Sequence, residues 1–432
     1  MACHPVTVVG GGVAGCAAAL AAARHGAQVR LIEQRPAWAT AVHTTALLCE
    51  LVGSPDLGAT AHDRAAGLLK AEVALLSPAV LECADAARIG RESLTLDRAQ
   101  FACAVTERIE ADDCVLLLRE HLVALPEGVV VLASGPATWS PLARAVHRAA
   151  AVGFRFSFRG RGPLVAAEGI DLSDAVRAPQ YPGADPVLFL PISEQEATEL
   201  ARRFASGERA EPPEWSEQTV LADESEPAER LAADAETFAR RLLCGPRGSD
   251  VPLAAPALRL LADDREERAW HLPDLVTALT PQAQAQALGA VRALAQTRLV
   301  RPGLVHRLPW LPGDSALLPT LQLRHAPRVL VAGTLSGAAG YVEALATGTI
   351  AGIGAAALAR GLQPTVVPAE SLTGALCRAL VSELFTDGRM VRANFGMLPE
   401  RAENEGRPKP ERRARQIERA LEAVRGLVAQ WS

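Results

Sequence analysis

Val6-Thr7-Val8-Val9-Gly10-Gly11-Gly12-Val13-Ala14-Gly15 stands almost at the start of the chain, and the reading of this stretch decides the fold. Val6 to Val9 predicts a short buried strand, and the Ala-rich run Ala14 to His25 predicts a helix. Val29 to Ile32 predicts a second strand that delivers Glu33. Strand, glycine turn, helix, strand and acidic residue in this order are the fingerprint of a dinucleotide-binding βαβ unit. Gly10 makes the tight turn, Gly12 leaves room for a pyrophosphate, and Gly15 lets the helix approach the sheet. The helix N-terminus then faces the phosphates, and Glu33 meets a ribose hydroxyl.

A second strand end lies at Leu132-Ala133-Ser134-Gly135-Pro136, after Val129 to Val131. A third follows Val329 to Ala332, leading into Gly333, Gly337, Gly340 and a small-residue helix from Ala344 that carries Gly348. A second strand-turn-helix suits a flavin, which is long enough to cross a sheet and meet two helix starts, better than it suits NAD alone. The expected class is α/β, a Rossmann-like FAD-binding domain with an inserted smaller α+β domain.

The chain has 432 residues, 49% of them hydrophobic, enough to bury a core and build two domains. Residues 1–153 and 302–432 read as the two parts of the nucleotide-binding domain, and 154–301 as the insertion. The insertion loses the glycine turns, gains the joint Glu211-Pro212-Pro213 and carries an acidic stretch from Glu208 to Glu236. Helices are expected over 68–87, 370–384 and 409–430. No apolar run of roughly 18 residues is free of charge or glycine, and a nucleotide fold from residue 6 leaves no room for a signal peptide. A cytoplasmic protein with no membrane partner is the expectation.

The eight cysteines, at 3, 16, 49, 83, 103, 114, 244 and 377, form no CxxC pair and no Cys/His zinc spacing, so no metal site is expected. The formal charge of −5 leaves nucleic-acid binding to local clusters. Arg155, Arg159 and Arg161 form one. Arg407, Lys409, Arg412, Arg413, Arg415 and Arg419 form another, interleaved with Glu403, Glu405, Glu411, Glu418 and Glu422 as in a solvated helix with i,i+4 pairs.

Further stretches occur in one order: Leu31-Ile32-Glu33-Gln34-Arg35-Pro36, His43, Gly67-Leu68-Leu69-Lys70-Ala71-Glu72, Leu96-Asp97-Arg98, Thr106-Glu107-Arg108, Gly169-Ile170-Asp171-Leu172, His306-Arg307, Gly340-Tyr341-Val342-Glu343, Thr347-Gly348 and Arg392-Ala393-Asn394-Phe395-Gly396. Together with the opening stretch they resemble the folate- and FAD-dependent tRNA uracil-5 methyltransferases (TrmFO), a sister group of the MnmG (GidA) flavoproteins. The resemblance spans nearly the whole chain and thins between about 195 and 300. It implies an FAD-binding domain of the GR2 type. The chemistry it implies carries a methylene group from methylenetetrahydrofolate through reduced FAD, with NADPH as reductant, to C5 of a tRNA T-loop uridine. A cysteine thiolate adding to C6 makes that carbon nucleophilic. The fingerprint and strand ends assign Gly10, Gly12, Gly15, Glu33 and Arg35 to the ADP half of FAD, with Gly135 at the further strand end; the resemblance places His43 at the flavin and Gly333, Glu343, Thr347 and Gly348 near the flavin ring and ribityl chain.

The sequence departs from that pattern where the chemistry is done. The family's Cys-Ser-Asn-Ser segment reads Gly53-Ser54-Pro55-Asp56, and its second cysteine corresponds to Ser225 within Asp223-Glu224-Ser225-Glu226-Pro227. Glycine offers no nucleophile, serine needs a base to attack, and the acidic flank disfavours both an alkoxide and a phosphate backbone. Cys244-Gly245-Pro246-Arg247-Gly248 replaces a lysine-containing loop, Arg159 an aspartate, Leu190 a cysteine, and Thr44 the glycine after His43. Cys49 and Cys244 are the candidates for a relocated thiol, each also readable as a small core residue. Three readings stay open: an active tRNA methyltransferase with an altered apparatus, an FAD-binding paralogue with another oxidoreductase or sensing role, and an RNA- or protein-binding module contacting its partner through Arg155 to Arg161.

Overall fold

A computed structural model of the chain describes residues 5–38, 40, 42–138, 140–180, 184–210, 220–221, 227–242, 256–383, 389–400 and 407–431. The opening apolar tetrad forms β1 (Val6–Val9), buried at every position as a central parallel strand must be. Helix α1 (Val13–Arg24) follows, and β2 (Val29–Glu33) returns beside β1 with Val6 opposite Val29. On the other side Val6 faces Val129 of β6 (Val129–Leu132). The finished five-stranded sheet runs β16 (Val329–Val331), β6, β1, β2, β5 (Val115–Arg119), all parallel. The carboxyl ends of β1, β2, β6 and β16 therefore share one edge, where ligands of such sheets bind.

Two helices cover this sheet through glycine contacts. A Cβ on Gly348 or Gly352 of α11 (Tyr341–Ala359) would stand 2.2 Å from the carbonyl oxygen of Ala14 or Ala18 in α1, so neither position admits a side chain without separating the helices. Helix α11 starts three residues before the expected Ala344. It is long and apolar enough to cross a membrane by length and composition, but 83% of its most apolar window is buried here, and it serves as a core helix.

The helix expected over 68–87 is two helices, α2 (Ala65–Leu76) and α3 (Ala79–Ala86). Pro78 supplies no N–H and pushes Ser77 into an extended conformation (φ −157°, ψ 96°), which ends α2. Lys70 of α2 donates to the carbonyls of Leu57, Gly58 and Ala59 at 2.7–2.9 Å, pinning β3 (Asp56–Ala59), which pairs with β4 (Ser93–Thr95). Helices α4 (Arg98–Glu110) and α5 (Ser140–Ala150) complete the first part of the chain.

Beyond it the strands pair antiparallel, except that β11 runs parallel to β7. A six-stranded sheet has the order β14 (Leu299–Arg301), β8 (Leu164–Ala166), β13 (Ala269–His271), β12 (Ala257–Ala262), β10 (Pro186–Pro191), β9 (Val176–Pro179). A three-stranded one joins β11 (Val220–Leu221), β7 (Arg155–Arg161) and β15 (Leu304–Trp310). Around them lie α6 (Glu194–Ser206), α7 (Ala228–Leu231), α8 (Ala235–Leu242) and α9 (Pro281–Leu288), whereas α10 (Gly313–Ala316) joins the core of the parallel sheet. Asp185 fastens this part to the start of β4 by accepting the N–H groups of Arg91, Glu92 and Ser93 and the Ser93 hydroxyl at 2.7–2.9 Å. The Arg98–Asp263 ion pair bridges the same boundary.

The chain closes with α12 (Leu372–Leu380), shorter than the expected 370–384, and α13 (Lys409–Ala429). On α13 Arg413 lies 3.4 Å over the Phe395 ring, and Arg407, just before the helix, pairs with Glu411; Glu403 and Glu405 of the interleaved cluster lie outside the described residues.

Candidate functional site

The shared carboxyl edge of the parallel sheet opens into a cavity of about 580 Å³. Its walls come from 10–14 after β1, 32–35 after β2, 133–136 after β6, Gly333 and Thr334 after β16, the start of α11, and the loop carrying His43, Glu50 and Gly53. Two helix N-termini meet there. Neither α1, capped by Gly12, nor α11, capped by Gly340, has a side chain satisfying its first N–H groups. Such ends favour an anion.

The glycines divide as their spacing predicts. Gly10 has φ +106°, and a Cβ there would strike the Ala133 carbonyl oxygen at 2.5 Å. At Gly12 a Cβ would meet nothing within 4 Å, because that side is open cavity. Gly15 does not line the cavity. Its missing side chain lets α1 close on the Gly10 carbonyl, 1.7 Å from an ideal Cβ. Gly135 (φ +53°) and Gly333 (φ +67°) also line the wall in the left-handed region that glycine tolerates.

Glu33 ends β2 buried at the cavity edge, accepting the Gly11 N–H at 2.8 Å on Oε2 and the Arg35 N–H and Nε at 3.0 and 2.9 Å on Oε1. Burial is the largest influence and pushes its carboxyl up. The Arg35 guanidinium and the two N–H groups outweigh it, and the carboxyl lies below its ordinary value. Arg35 spends its remaining reach on the Thr45 carbonyl and on Glu50 at 3.2 Å, so it braces the 43–50 loop. His43 lines the cavity with Nδ1 2.6 Å from the Thr40 hydroxyl, and burial together with Arg35 holds its imidazole neutral, down at about 4. His306, also on the wall, is likewise pushed down to about 4 by burial.

Position 53 is a wall position, and its backbone N–H donates to the Tyr341 hydroxyl at 2.7 Å. A Cβ on Gly53 would sit 3.2 Å from that hydroxyl, a contact relieved by a few tenths of an ångström. Among the described residues no cysteine lines the cavity. Cys49 is fully buried with φ +52°, off any helix, and burial raises its thiol well above the ordinary range. It therefore supplies no relocated nucleophile to this space. Ser225 and Cys244 lie outside the described residues.

Thr347 and Gly348, expected beside the flavin, stand behind the wall. Thr347 accepts the Gly333 N–H at 3.0 Å and bonds back to the Glu343 carbonyl, fixing the turn after β16. Gly348 seats α11 on α1. Glu343 does line the cavity. It accepts the Ala393 N–H at 3.0 Å, and burial raises its carboxyl. The trio on β7 is not one surface patch either. Arg155 lies over Trp310, Arg159 lines the cavity, and Arg161 is buried and donates to the Val42 carbonyl. Tyr341, Glu50 and Arg392 are wall residues that the motif glycines overshadowed in the sequence, although the first stands beside Gly340 and the last opens the Arg392-Ala393-Asn394 stretch. No group of three His, Cys, Asp or Glu among the described residues could hold a metal ion.

Comparison with known proteins shows the family to which the chain belongs. Residues 5–363 match the family model described as glucose inhibited division protein A, GidA. Methylenetetrahydrofolate–tRNA-(uracil-5-)-methyltransferase TrmFO of Deinococcus radiodurans is 33% identical, with 99% of this chain and 94% of that protein covered. Its counterpart in Synechococcus sp. JA-3-3Ab is 35% identical over 99% and 96%. GidA of Aquifex aeolicus superposes with a TM-score of 0.70 over 99% of this chain and 73% of its own, at 18% identity, and so supports the Rossmann-like FAD-binding fold alone. The chain belongs to the GidA family and, within it, to the TrmFO group of tRNA uridine methyltransferase flavoproteins.

Proposed function

We propose that this chain is an FAD-dependent flavoprotein of the cytoplasm that has lost the thiol-dependent methylation of tRNA uridine practised by its group. The residues fit the cofactor: two uncapped helix N-termini, open space at Gly12 and a buried carboxylate at the end of β2 are what an ADP moiety requires. Gly10, Gly12, Glu33 and Gly135 would hold that half directly, with Gly15 and Arg35 fixing the turn and the Glu33 carboxylate. Gly333, Glu343 and His43 would flank the flavin half, with Thr347 and Gly348 holding the wall from behind. Bound there, FAD supplies two-electron redox chemistry, with NADPH the natural reductant in this group.

The observation that carries the loss is the absence of sulfur from the cavity wall among the described residues, with position 53 reduced to an N–H donor. Covalent activation of a pyrimidine needs a thiolate or a base-activated nucleophile. Tyr341 is held by the Gly53 N–H, and the two wall imidazoles are neutral, so the wall offers bases and hydrogen-bond donors in place of a thiolate. What survives is a redox site, and an oxidoreductase or flavin-bearing sensor is the reading it supports.

Incubating the protein with unmodified tRNA, labelled methylenetetrahydrofolate and NADPH is expected to leave the T-loop uridine unlabelled, at or below about one part in a thousand of an active relative's single-turnover yield, the scale on which losing a covalent nucleophile is felt. Stoichiometric label on uridine would overturn the proposal and return the chain to the active methyltransferases.

A further inference from the structure

Behind Gly53 the protein buries more positive charge than its neighbours neutralise. Arg98 opens α4, Arg161 ends β7 and Arg301 ends β14, and each is more than nine-tenths buried. His271 of β13 is 3% exposed. Strand register places His271 and Arg301 on either side of Leu164 in β8, so both lie on the same face of that sheet. Arg98 and Arg161 each spend one Nη on backbone carbonyls, of Leu51 and Val42, and Arg98 also contacts Asp263. After these bonds, Nη2 of Arg98, Nε of Arg161, Nη2 of Arg301 and both ring nitrogens of His271 have no hydrogen-bond partner among the described residues.

Guanidinium groups stay protonated near neutrality, and buried charges are normally paired. Three cations face one carboxylate in contact, Asp263, and feel a second, Glu50, which shares the single guanidinium of Arg35 with Glu33, so one positive charge stays uncompensated among the described residues. The Glu50 oxygens are engaged by Thr44, Thr45 and Arg35. Burial and the neighbouring Arg301 and Arg98 bring Arg161 down to about 10, and burial with the same arginines holds His271 neutral. A neutral imidazole offers one N–H donor and one acceptor. Water would satisfy the hydrogen bonds and leave the charge.

We propose that Arg98, Arg161, His271 and Arg301 form a binding site for a small divalent oxyanion of the hydrogenphosphate type. Guanidinium forks match its oxygens, its negative charge offsets the buried positive excess, and its one proton meets the acceptor nitrogen of His271. Seated there, it ties the loop carrying Leu51 and Gly53 to the six-stranded sheet. None of the four residues lines the cavity described above, so the site is separate from the one assigned to FAD.

The test uses the full chain saturated with FAD and dialysed free of phosphate, with inorganic phosphate as the probe. FAD content is read from absorbance in the same sample, so failure to take the flavin and failure to bind phosphate are told apart. One protein-bound ³¹P resonance per chain is expected, apart from the FAD pyrophosphate signals. The melting temperature should rise by about 4 °C at a hundredfold excess over Kd, relative to sodium chloride or acetate at equal ionic strength. R301M should lose at least about tenfold in phosphate affinity and most of that rise. R301K, which keeps the charge, should retain part of both if R301M does not fold. The exposed R292Q should behave as the parent. A response equal to that of chloride, a larger response to acetate, no bound resonance, or an undiminished response in R301M would each overturn the proposal.

Discussion

Replacing Gly12 with aspartate will weaken FAD binding by about 10³-fold while leaving the apo-chain as stable as before, or more stable by up to about 0.5 kcal/mol. The two effects separate because of what Gly12 faces. Its φ is −77° and an added Cβ would meet nothing within 4 Å, so no strain and no clash oppose the side chain. Gly12 is also the N-cap of α1, where aspartate is a better cap than glycine and its charge suits the helix dipole. The same carboxylate stands where the proposed pyrophosphate must come. At about 4 Å and an effective dielectric near 20, one like-charge pair costs about 4 kcal/mol, close to three decades of affinity. Flavin titration followed by fluorescence quenching, with thermal melts of the apo-protein, checks both halves. Undiminished FAD affinity in G12D would place the cofactor elsewhere.

The second large effect concerns Glu72, whose side chain is fully buried beneath α12. Its Oε1 accepts the Leu372 N–H, and its Oε2 accepts the Thr373 N–H and hydroxyl, all at 2.6–2.7 Å. The carboxyl thus satisfies the first donors of a helix three hundred residues away. E72A will strand those donors and open a small cavity, costing about 3 kcal/mol at pH 5. Burial is the largest influence on the group and lifts it to about 7, against the three donors, which pull the other way. The folded chain therefore holds this proton where the unfolded chain has released it. The stabilisation is complete below the ordinary carboxylate range and is lost as the pH climbs to about 7. The penalty of E72A will consequently be larger at pH 5 than at pH 8, and E72Q will flatten the pH dependence. Urea-unfolding midpoints at the two pH values measure it. A penalty that grows with pH would show that the carboxylate form is the one the native state prefers.

The parallel sheet was legible because its signals are local and agree with one another. A buried strand, glycines at fixed offsets and an acidic residue at the next strand end leave few other folds. The assignments that missed depended on contacts across the fold. Thr347 and Gly348 lie in a motif, but which face of α11 meets the cavity is set by the packing of Gly348 and Gly352 on α1. Cys49 is four residues from Gly53, yet it is fully buried on a left-handed backbone and does not line the cavity. Arg155, Arg159 and Arg161 alternate along a strand and read as one patch, but β15 and the 42–52 loop give each a different neighbour. Tyr341 carried no independent signal, since its role arises only when the loop after Cys49 is folded back against α11.

The absorption spectrum of the purified chain, with released FAD counted per polypeptide, bears most directly on the central claim. One FAD per chain, with flavin bands that bleach on adding NADPH under anaerobic conditions, is the predicted result. A colourless protein that takes up no FAD even in excess would contradict it.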